Sequence, residues 1–399
     1  MTQTLIGRQP ILNREGQVHA YELLFRPSEV GTASQFDGNR ATANVVVNAL
    51  TEIGLEQVVG PHCAYINFTD DLLLSDTVLL LPKERVVIEI LEDASISDEL
   101  ISAVSALAKQ GYVFALDDFI YAAKWEPLIE IASVIKIDVL ALGREEIKEH
   151  VDRLKGRRVK LLAEKVETFE QHASLLELGF DYFQGYYYAK PDIVARDRIP
   201  DNHLAVLRLL AALNSRAITT EEIEHLVSED VALSYRLMRY LNSAFFALPK
   251  KIDSIRRAVV YFGIDMLRQW TTLLVMASVS GKPQILMQNA LVRARMCEGL
   301  AKIRHLPDSD SYFTVGLFSV LDSLMDVPMT SIVDSLPLND AMAAALLNRA
   351  GEQGAALNCV CAYEMCLWAE VEFADLSQKQ IGKIYLESIS WALDASSGL

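Results

Sequence analysis

Val113-Phe114-Ala115-Leu116-Asp117-Asp118-Phe119 holds a short extended apolar run that ends in two adjacent acids. The same phrase recurs on either side of it. Ala20–Leu24, Ala64–Asn67 and Val86–Ile90 precede it, and Val134–Ile137, Lys160–Ala163 and Tyr182–Gln184 follow. Amphipathic helical patterns fall between them, at Thr42–Ile53, Ser97–Gln110, Arg144–Leu154 and Thr168–Leu178. Strand–helix alternation repeated this often indicates a parallel sheet or barrel. The stretch from Ile6 to Leu24, broken by Asn13 to Gly16, reads instead as a hairpin. Residues 1–195 are therefore expected to form an α/β barrel, TIM-like but modified at its N-terminal hairpin.

Pro191, the charged stretch Ala195–Arg198 and Pro200 read as a linker. Beyond it helical periodicity dominates, at His203–Leu213, Thr220–Val227, Ala232–Leu241, Ser254–Phe262, Asp265–Val279, Gln288–Ile303, Asn339–Asn348 and Ala355–Ala369. Residues 201–399 are expected to be an all-α domain. Two domains also suit a chain of 399 residues, at roughly 100–200 residues per domain.

The formal net charge of −16 argues against non-specific nucleic-acid binding, so no DNA partner is expected. It leaves room for a nucleotide, because divalent metals can supply positive charge to an acidic site. Five cysteines without a disulfide framework suit a reducing compartment. The start of the chain lacks a signal-peptide apolar region. The apolar run from Trp270 to Val279 is far short of the roughly 20 residues that span a bilayer. The expectation is a cytoplasmic protein with no membrane span.

Polar residues follow one another at the C-terminal ends of the expected strands: Glu22, Asn67, Glu89, Asp117 with Asp118, Lys136 with Asp138, Glu164 with Glu167, and Gln184. Barrel enzymes build their sites at that rim. Any one of these acids could serve as a helix cap or a solvated loop residue. Seven strand ends in order, each bearing a carboxylate, amide or amine, point to a site. Glu22, Asn67, Glu89 and Asp117 offer the hard oxygen ligands that Mg²⁺ and Mn²⁺ prefer. Asp118 is placed to bridge to a second metal, and two metals about 3.5–4 Å apart clamp the attacking and leaving oxygens of a phosphodiester. Lys136 is suited to orient a water or neutralise developing charge.

On these residues the first half resembles the EAL-type cyclic-di-GMP phosphodiesterases. The family's Glu-Ala-Leu-Leu-Arg signature stands here as Glu22-Leu23-Leu24-Phe25-Arg26, and Gln9-Pro10-Ile11 is similar to the family's opening. The resemblance implies metal ligation by Glu22, Asn67, Glu89 and Asp117, with Asp118 serving a second Mg²⁺ or Mn²⁺. It implies that Lys136 attends the catalytic water, that Glu164 belongs to the metal site, and that Arg26 and Gln184 bind the ligand, cyclic-di-GMP, which is opened to linear pGpG. One departure stands out. The family pattern after the acid pair is Phe-Gly-Thr-Gly, a loop tied to metal placement and to the dimer, whereas this chain reads Phe119-Ile120-Tyr121-Ala122. Its usual anchor, Glu167, is present. A bulky Ile120 where glycine permits unusual backbone angles implies a different loop shape.

The second half resembles the HDOD domain, a relative of the HD phosphohydrolases. The likeness rests on Glu229–Ser234, Leu237, Leu241–Ala244, Ile252–Ile255, Ala258-Val259 and Phe262-Gly263. His203, His225 and His305 are the only histidines there, and none is followed by Asp. No metal site is assigned, and the domain reads as a module for an unidentified protein partner. Cys359, Cys361 and Cys366 read as helix-core residues rather than a zinc site. Of Tyr186, Tyr187 and Tyr188, at least two are expected to pack rather than stack on a guanine. Two functions follow from the whole chain. The leading one is a phosphodiesterase, with a homodimer as one arrangement. The other is a catalytically idle scaffold that binds cyclic-di-GMP or nothing and acts through the helical domain.

Overall fold

The structure is a computed structural model that describes residues 4–27, 54–187, 201–214, 218–229, 231–246, 248, 252, 254–278, 282–336 and 338–396. The linker at 191–200 and the helical pattern at 42–53 lie outside the described residues, as does the side chain of Arg26. The chain divides into two compact units. The first takes the residues up to 190 together with Tyr363–Trp368 and Ser377–Gly382, and the second takes the rest.

Eight strands close into a barrel in the first unit: β1 (Thr4–Asn13), β2 (Val18–Pro27), β3 (Cys63–Phe68), β4 (Val86–Ile90), β5 (Val113–Leu116), β6 (Val134–Asp138), β7 (Lys160–Glu164) and β8 (Tyr182–Gln184). The strands β2 to β8 pair in parallel, and β1 runs antiparallel to both β2 and β8. The hairpin turn explains the reversal. Asn13 Oδ1 accepts from the backbone N–H of Glu15 at 3.1 Å and of Gln17 at 2.8 Å, and Gly16 takes φ 73°. An Asx turn followed by a left-handed glycine sends the chain straight back.

Helices join the parallel strands: α1 (Leu55–Val59), α2 (Asp70–Leu73), α3 (Asp98–Lys109), α4 (Glu126–Ile129), α5 (Arg144–Leu154) and α6 (Phe169–Leu178). Side-chain caps fix their starts. Ser97 accepts from the N–H of Leu100, and Thr168 and Gln171 form a reciprocal capping box. Side chains alternate across a strand, so one parity packs outward and the other fills the barrel. Inside lie Ile11, Ala20, Tyr65, Val87, Ala115, Val134 and Leu162, all buried and in mutual contact. This apolar layer is the floor of the site.

Among its described residues the second unit has helices and no strand, in line with the expected all-α domain: α7 (Asp201–Leu213), α8 (Thr220–Glu229), α9 (Val231–Leu241), α10 (Ile255–Phe262), α11 (Ile264–Met276), α12 (Gln284–Ile303), α13 (Ser309–Phe318), α14 (Leu321–Met325), α15 (Met329–Ser335) and α16 (Asp340–Asn348). Two more helices, α17 (Gly351–Glu364) and α18 (Gln378–Ser396), lend segments to both units. Aromatic packing centres the helical core. Trp270 lies 4.8 Å from Tyr240 and 5.7 Å from Trp391, centroid to centroid, and the Tyr240 hydroxyl donates to the Ala395 carbonyl at 3.0 Å. The five cysteines are free thiols, and burial raises those of Cys359 and Cys366 to about 12. Among the described residues no single helix is long and apolar enough to cross a membrane. The bent pair Ser309–Met325 and Met329–Ser335 reaches that length only with a 119° break.

Candidate active site

The site follows from the strand period. Two residues beyond each floor residue, on the same inward parity, stands a polar side chain: Glu22 beyond Ala20, Asn67 beyond Tyr65, Glu89 beyond Val87, Asp117 beyond Ala115, Lys136 beyond Val134, Glu164 beyond Leu162 and Gln184 beyond Tyr182. The reversed strand β1 reaches the same level two residues before Ile11, at Gln9, which pairs in register with Glu22. Every strand thus places one polar side chain at one height, over an apolar floor.

Lys136 holds the centre. Its side chain is fully buried, and its Nζ lies 2.6 Å from Glu89 Oε1, 2.6 Å from Asp117 Oδ1, 3.0 Å from Glu164 Oε1 and 3.5 Å from Glu22 Oε2. The amides complete the ring. Gln184 Nε2 donates to Glu22 Oε2 at 2.6 Å and to Gln9 Oε1 at 3.0 Å, and Asn67 Nδ2 donates to Glu22 Oε1 at 3.3 Å. Four carboxyl groups face one ammonium in a largely buried space, so the acids cannot all ionise freely. Burial pushes Glu89 well above the usual carboxylate range, with Glu22 and Asp117 adding to the rise and Lys136 opposing it. Burial raises Glu164 to about 8, reinforced by Asp117 and Glu22. Burial works against the charge on Lys136 as well, but Glu22, Glu89, Glu164 and Asp117 together hold it well above the ordinary lysine range.

The raised Glu164 carboxyl ties stability to pH. Between the ordinary carboxylate range and about pH 8 the folded chain keeps a proton that the unfolded chain has released. The native state binds more protons there, so stability falls as pH rises through that window, by about 1.4 kcal/mol per pH unit for each such proton. Urea midpoints of the metal-free protein are expected to drop between about pH 5 and pH 8, with a shallower drop for Glu164→Gln. Parallel curves for the two proteins would show that Glu164 ionises normally.

The oxygens suit a hard divalent cation. Asn67 Oδ1, Glu89 Oε2 and Glu164 Oε2 are buried and accept no hydrogen bond, a state that polar oxygens seldom keep unless an ion or water serves them. Glu22, Asn67, Glu89 and Asp117 form a donor set of the right chemistry. The acids are closed around Lys136, and among the described residues no three His, Cys, Asp or Glu side chains form a preset cage.

Asp118 stands apart from the ring. Its backbone takes φ 40°, and its carboxylate is half-exposed on the rim, 3.8 Å from Lys165 Nζ. Burial raises its carboxyl, and the neighbouring Asp117 adds to the effect. Lys165, itself left-handed at φ 58°, also pairs with Asp138. Glu167 follows on the same loop, where its backbone N–H donates to Gln171 Oε1 at 2.8 Å. Beyond the acid pair, Phe119 is buried and its N–H donates to the Lys136 carbonyl at 2.9 Å, while Ile120 is exposed. The positive φ in this segment falls on Asp118, and Ile120 keeps an ordinary negative φ. Sequence reasoning named Gln9 only within the family's opening, without placing it in the site, and passed over Lys165. Gln9 carries a signal, since it sits two residues from the floor residue Ile11, but only a reader who reverses the order along β1 finds it.

A family model for the EAL domain matches residues 54–191, and one for the HDOD domain matches residues 199–355. A Vibrio cholerae protein named cyclic di-GMP phosphodiesterase CdgJ is 36% identical over 377 residues, 93% of this chain and 87% of that one. YuxH of Bacillus subtilis, which has no assigned function, is 33% identical over 401 residues, 98% of each chain. The solved structure of Klebsiella pneumoniae BlrP1 in a manganese and cyclic-di-GMP complex shares 22% identity over 47% of this chain and 57% of that one, with a TM-score of 0.38.

Proposed function

The chain belongs to the family that joins an EAL domain to an HDOD domain, and on that premise we propose that it hydrolyses cyclic-di-GMP to linear pGpG in a reaction dependent on Mg²⁺ or Mn²⁺. The observation that carries this reading is the ring of polar side chains, one from each strand, in which the buried oxygens Asn67 Oδ1, Glu89 Oε2 and Glu164 Oε2 accept no hydrogen bond. Glu22, Asn67, Glu89 and Asp117 would hold the first ion, and Asp118 would serve a second. Ions bound there supply an acidified water and positive charge for the phosphoryl oxygens. Lys136 keeps its proton at Nζ and offers a fixed charge against which the water or the developing anion is oriented. Glu164 holds the Lys136 ammonium through Oε1 and leaves Oε2 to accept a hydrogen bond from a water or the ligand. Gln184, itself bonded to Gln9, donates to Glu22 and holds it in one orientation. Arg26 and Gln184 are assigned to the ligand. Residues 1–195 constitute the catalytic domain in this reading. Residues 201–399 form a helical domain that engages a protein partner, with self-association as a further layer.

The test is release of pGpG by the purified full chain in Mg²⁺ or Mn²⁺, run beside Glu22→Ala. Loss of this ligand is expected to cut turnover by more than about 100-fold, beyond what outer residues around a metal cost. The closure of the acids on Lys136 favours one other reading, a chain that binds the dinucleotide and leaves it intact. Metal-loaded, folded protein that binds cyclic-di-GMP without releasing pGpG would establish that alternative.

A further inference from the structure

The loop that carries the acid pair has an anchor on α5. The backbone N–H of Tyr121 points at His150 Nε2 across 3.1 Å, and His150 Nδ1 lies 2.7 Å from the Glu146 carbonyl. These partners set the ring's hydrogen-bonding roles. A backbone N–H can only donate and a carbonyl can only accept, so the ring accepts at Nε2 and donates from Nδ1. We propose that His150 is a positioning residue: as a hydrogen-bond acceptor it pins Tyr121, and through Tyr121 the segment that sets Asp117 and Asp118. The role presumes the reading of the ring as a metal-dependent phosphodiesterase site.

The surroundings support a latch rather than a chance contact. Phe119, between the acid pair and Tyr121, is buried and meets the His150 ring edge-on, with centroids 6.3 Å apart at 87°. Its N–H is already committed to the Lys136 carbonyl. The segment is therefore held at two points two residues apart, at β6 by Phe119 and at α5 by Tyr121. Where glycines would let the backbone choose its own path, this chain fixes the path from outside. Charged groups surround the latch: Arg153, whose guanidinium lies 4.7 Å over Tyr121, and Glu149, paired with Arg153 at 2.7 Å on the same helix. From the loop side comes Glu126, which accepts from the Tyr121 hydroxyl at 2.6 Å and pairs with Arg157 at 2.9 Å, while Lys124 sits over Trp125 at 5.3 Å. On α5 the Glu146 carboxylate is turned away to the Gly143 N–H.

Two substitutions in the full chain separate the acceptor from the ring. In His150→Gln the side-chain carbonyl reaches where Nε2 stood and keeps the bond to Tyr121. His150→Asn keeps a donor for the Glu146 carbonyl but falls short of Tyr121. Hydrogen exchange at the Tyr121 amide, Mn²⁺ affinity, and pGpG release are read for wild type and both variants. His150→Asn is expected to lose protection at Tyr121 and to lose about 10–100-fold in Mn²⁺ affinity and turnover, the scale of outer residues that orient ligands. His150→Gln is expected to retain most of both. A protected Tyr121 amide and wild-type Mn²⁺ affinity in His150→Asn would overturn the proposal, as would equal losses in both variants. If wild type releases no pGpG the phosphodiesterase reading fails, yet the exchange and Mn²⁺ measurements still decide the role of His150. If His150→Asn does not fold, His150→Ala, which also removes the acceptor, takes its place in the same measurements.

Discussion

Lys136→Met is expected to abolish turnover and to destabilise the metal-free protein by about 3–5 kcal/mol, the usual cost of removing one partner from a buried ion pair. Methionine fits the space and keeps the packing against the floor, so the effect isolates the charge. The ammonium is the shared counter-ion of Glu22, Glu89, Asp117 and Glu164, all within 3.5 Å. Without it the carboxyls that remain ionised face one another in a largely buried space and must take up protons. Two further measurements confirm that cause. Lowering the pH should recover part of the lost stability, since protonated acids need no counter-charge. Mn²⁺ should recover part of it as well, since it replaces one positive charge with two. Urea unfolding with and without Mn²⁺ reads both. Unchanged stability at neutral pH would mean that the ring is already protonated and that Lys136 neutralises nothing.

The same charge balance shows what kind of site was legible in the sequence. A buried strand in an α/β barrel is an apolar run, and a carboxylate at its end breaks that run visibly, as Glu89 does in Val86–Ile90 and Asp117 does after Leu116. The strands from Val86, Val113, Lys160 and Tyr182 begin where the apolar runs begin. Which polar end residues meet was harder to read. Asp117 and Asp118 look equivalent in sequence, yet the left-handed backbone at Asp118 turns one into the ring and the other out to Lys165. Gln9 was hidden by the reversal of β1. In the helical unit, Asp340–Asn348 was legible, with Asn339 as its cap. The helices Ser309–Phe318 and Leu321–Met325 were not, because both are buried almost all round and carry no polar face to reveal a period. His150 gave no sequence signal at all. It lies among the charged residues of an exposed-looking helix, and its partners are backbone groups of residues 29 positions and one turn away.

Gly185→Ala is expected to be the most damaging single-methyl change in the barrel. Gly185 takes φ 145°, a region that other residues rarely enter, and an added Cβ would lie 2.2 Å from the Val166 carbonyl oxygen and 2.4 Å from the Val166 nitrogen. Both are backbone atoms, so no side chain can swing aside. Nor can the Val166 backbone withdraw cheaply: its N–H donates to the Gln184 carbonyl at 3.0 Å, its carbonyl accepts from Tyr187 at 3.1 Å, and its side chain is buried. Overpacking and backbone strain of this kind each cost about 1–3 kcal/mol, so a loss of at least about 3 kcal/mol is expected from their sum. The damage should reach the site as well. Relief of the clash requires the loops after β7 and β8 to part, and those loops set Glu164 and Gln184, which hold Lys136 and Glu22. Mn²⁺ affinity should therefore fall together with the urea midpoint. A stable Gly185→Ala protein with full Mn²⁺ affinity would show that these two loops separate freely, and that the ring is held by its own charges rather than by the backbone contact beneath it.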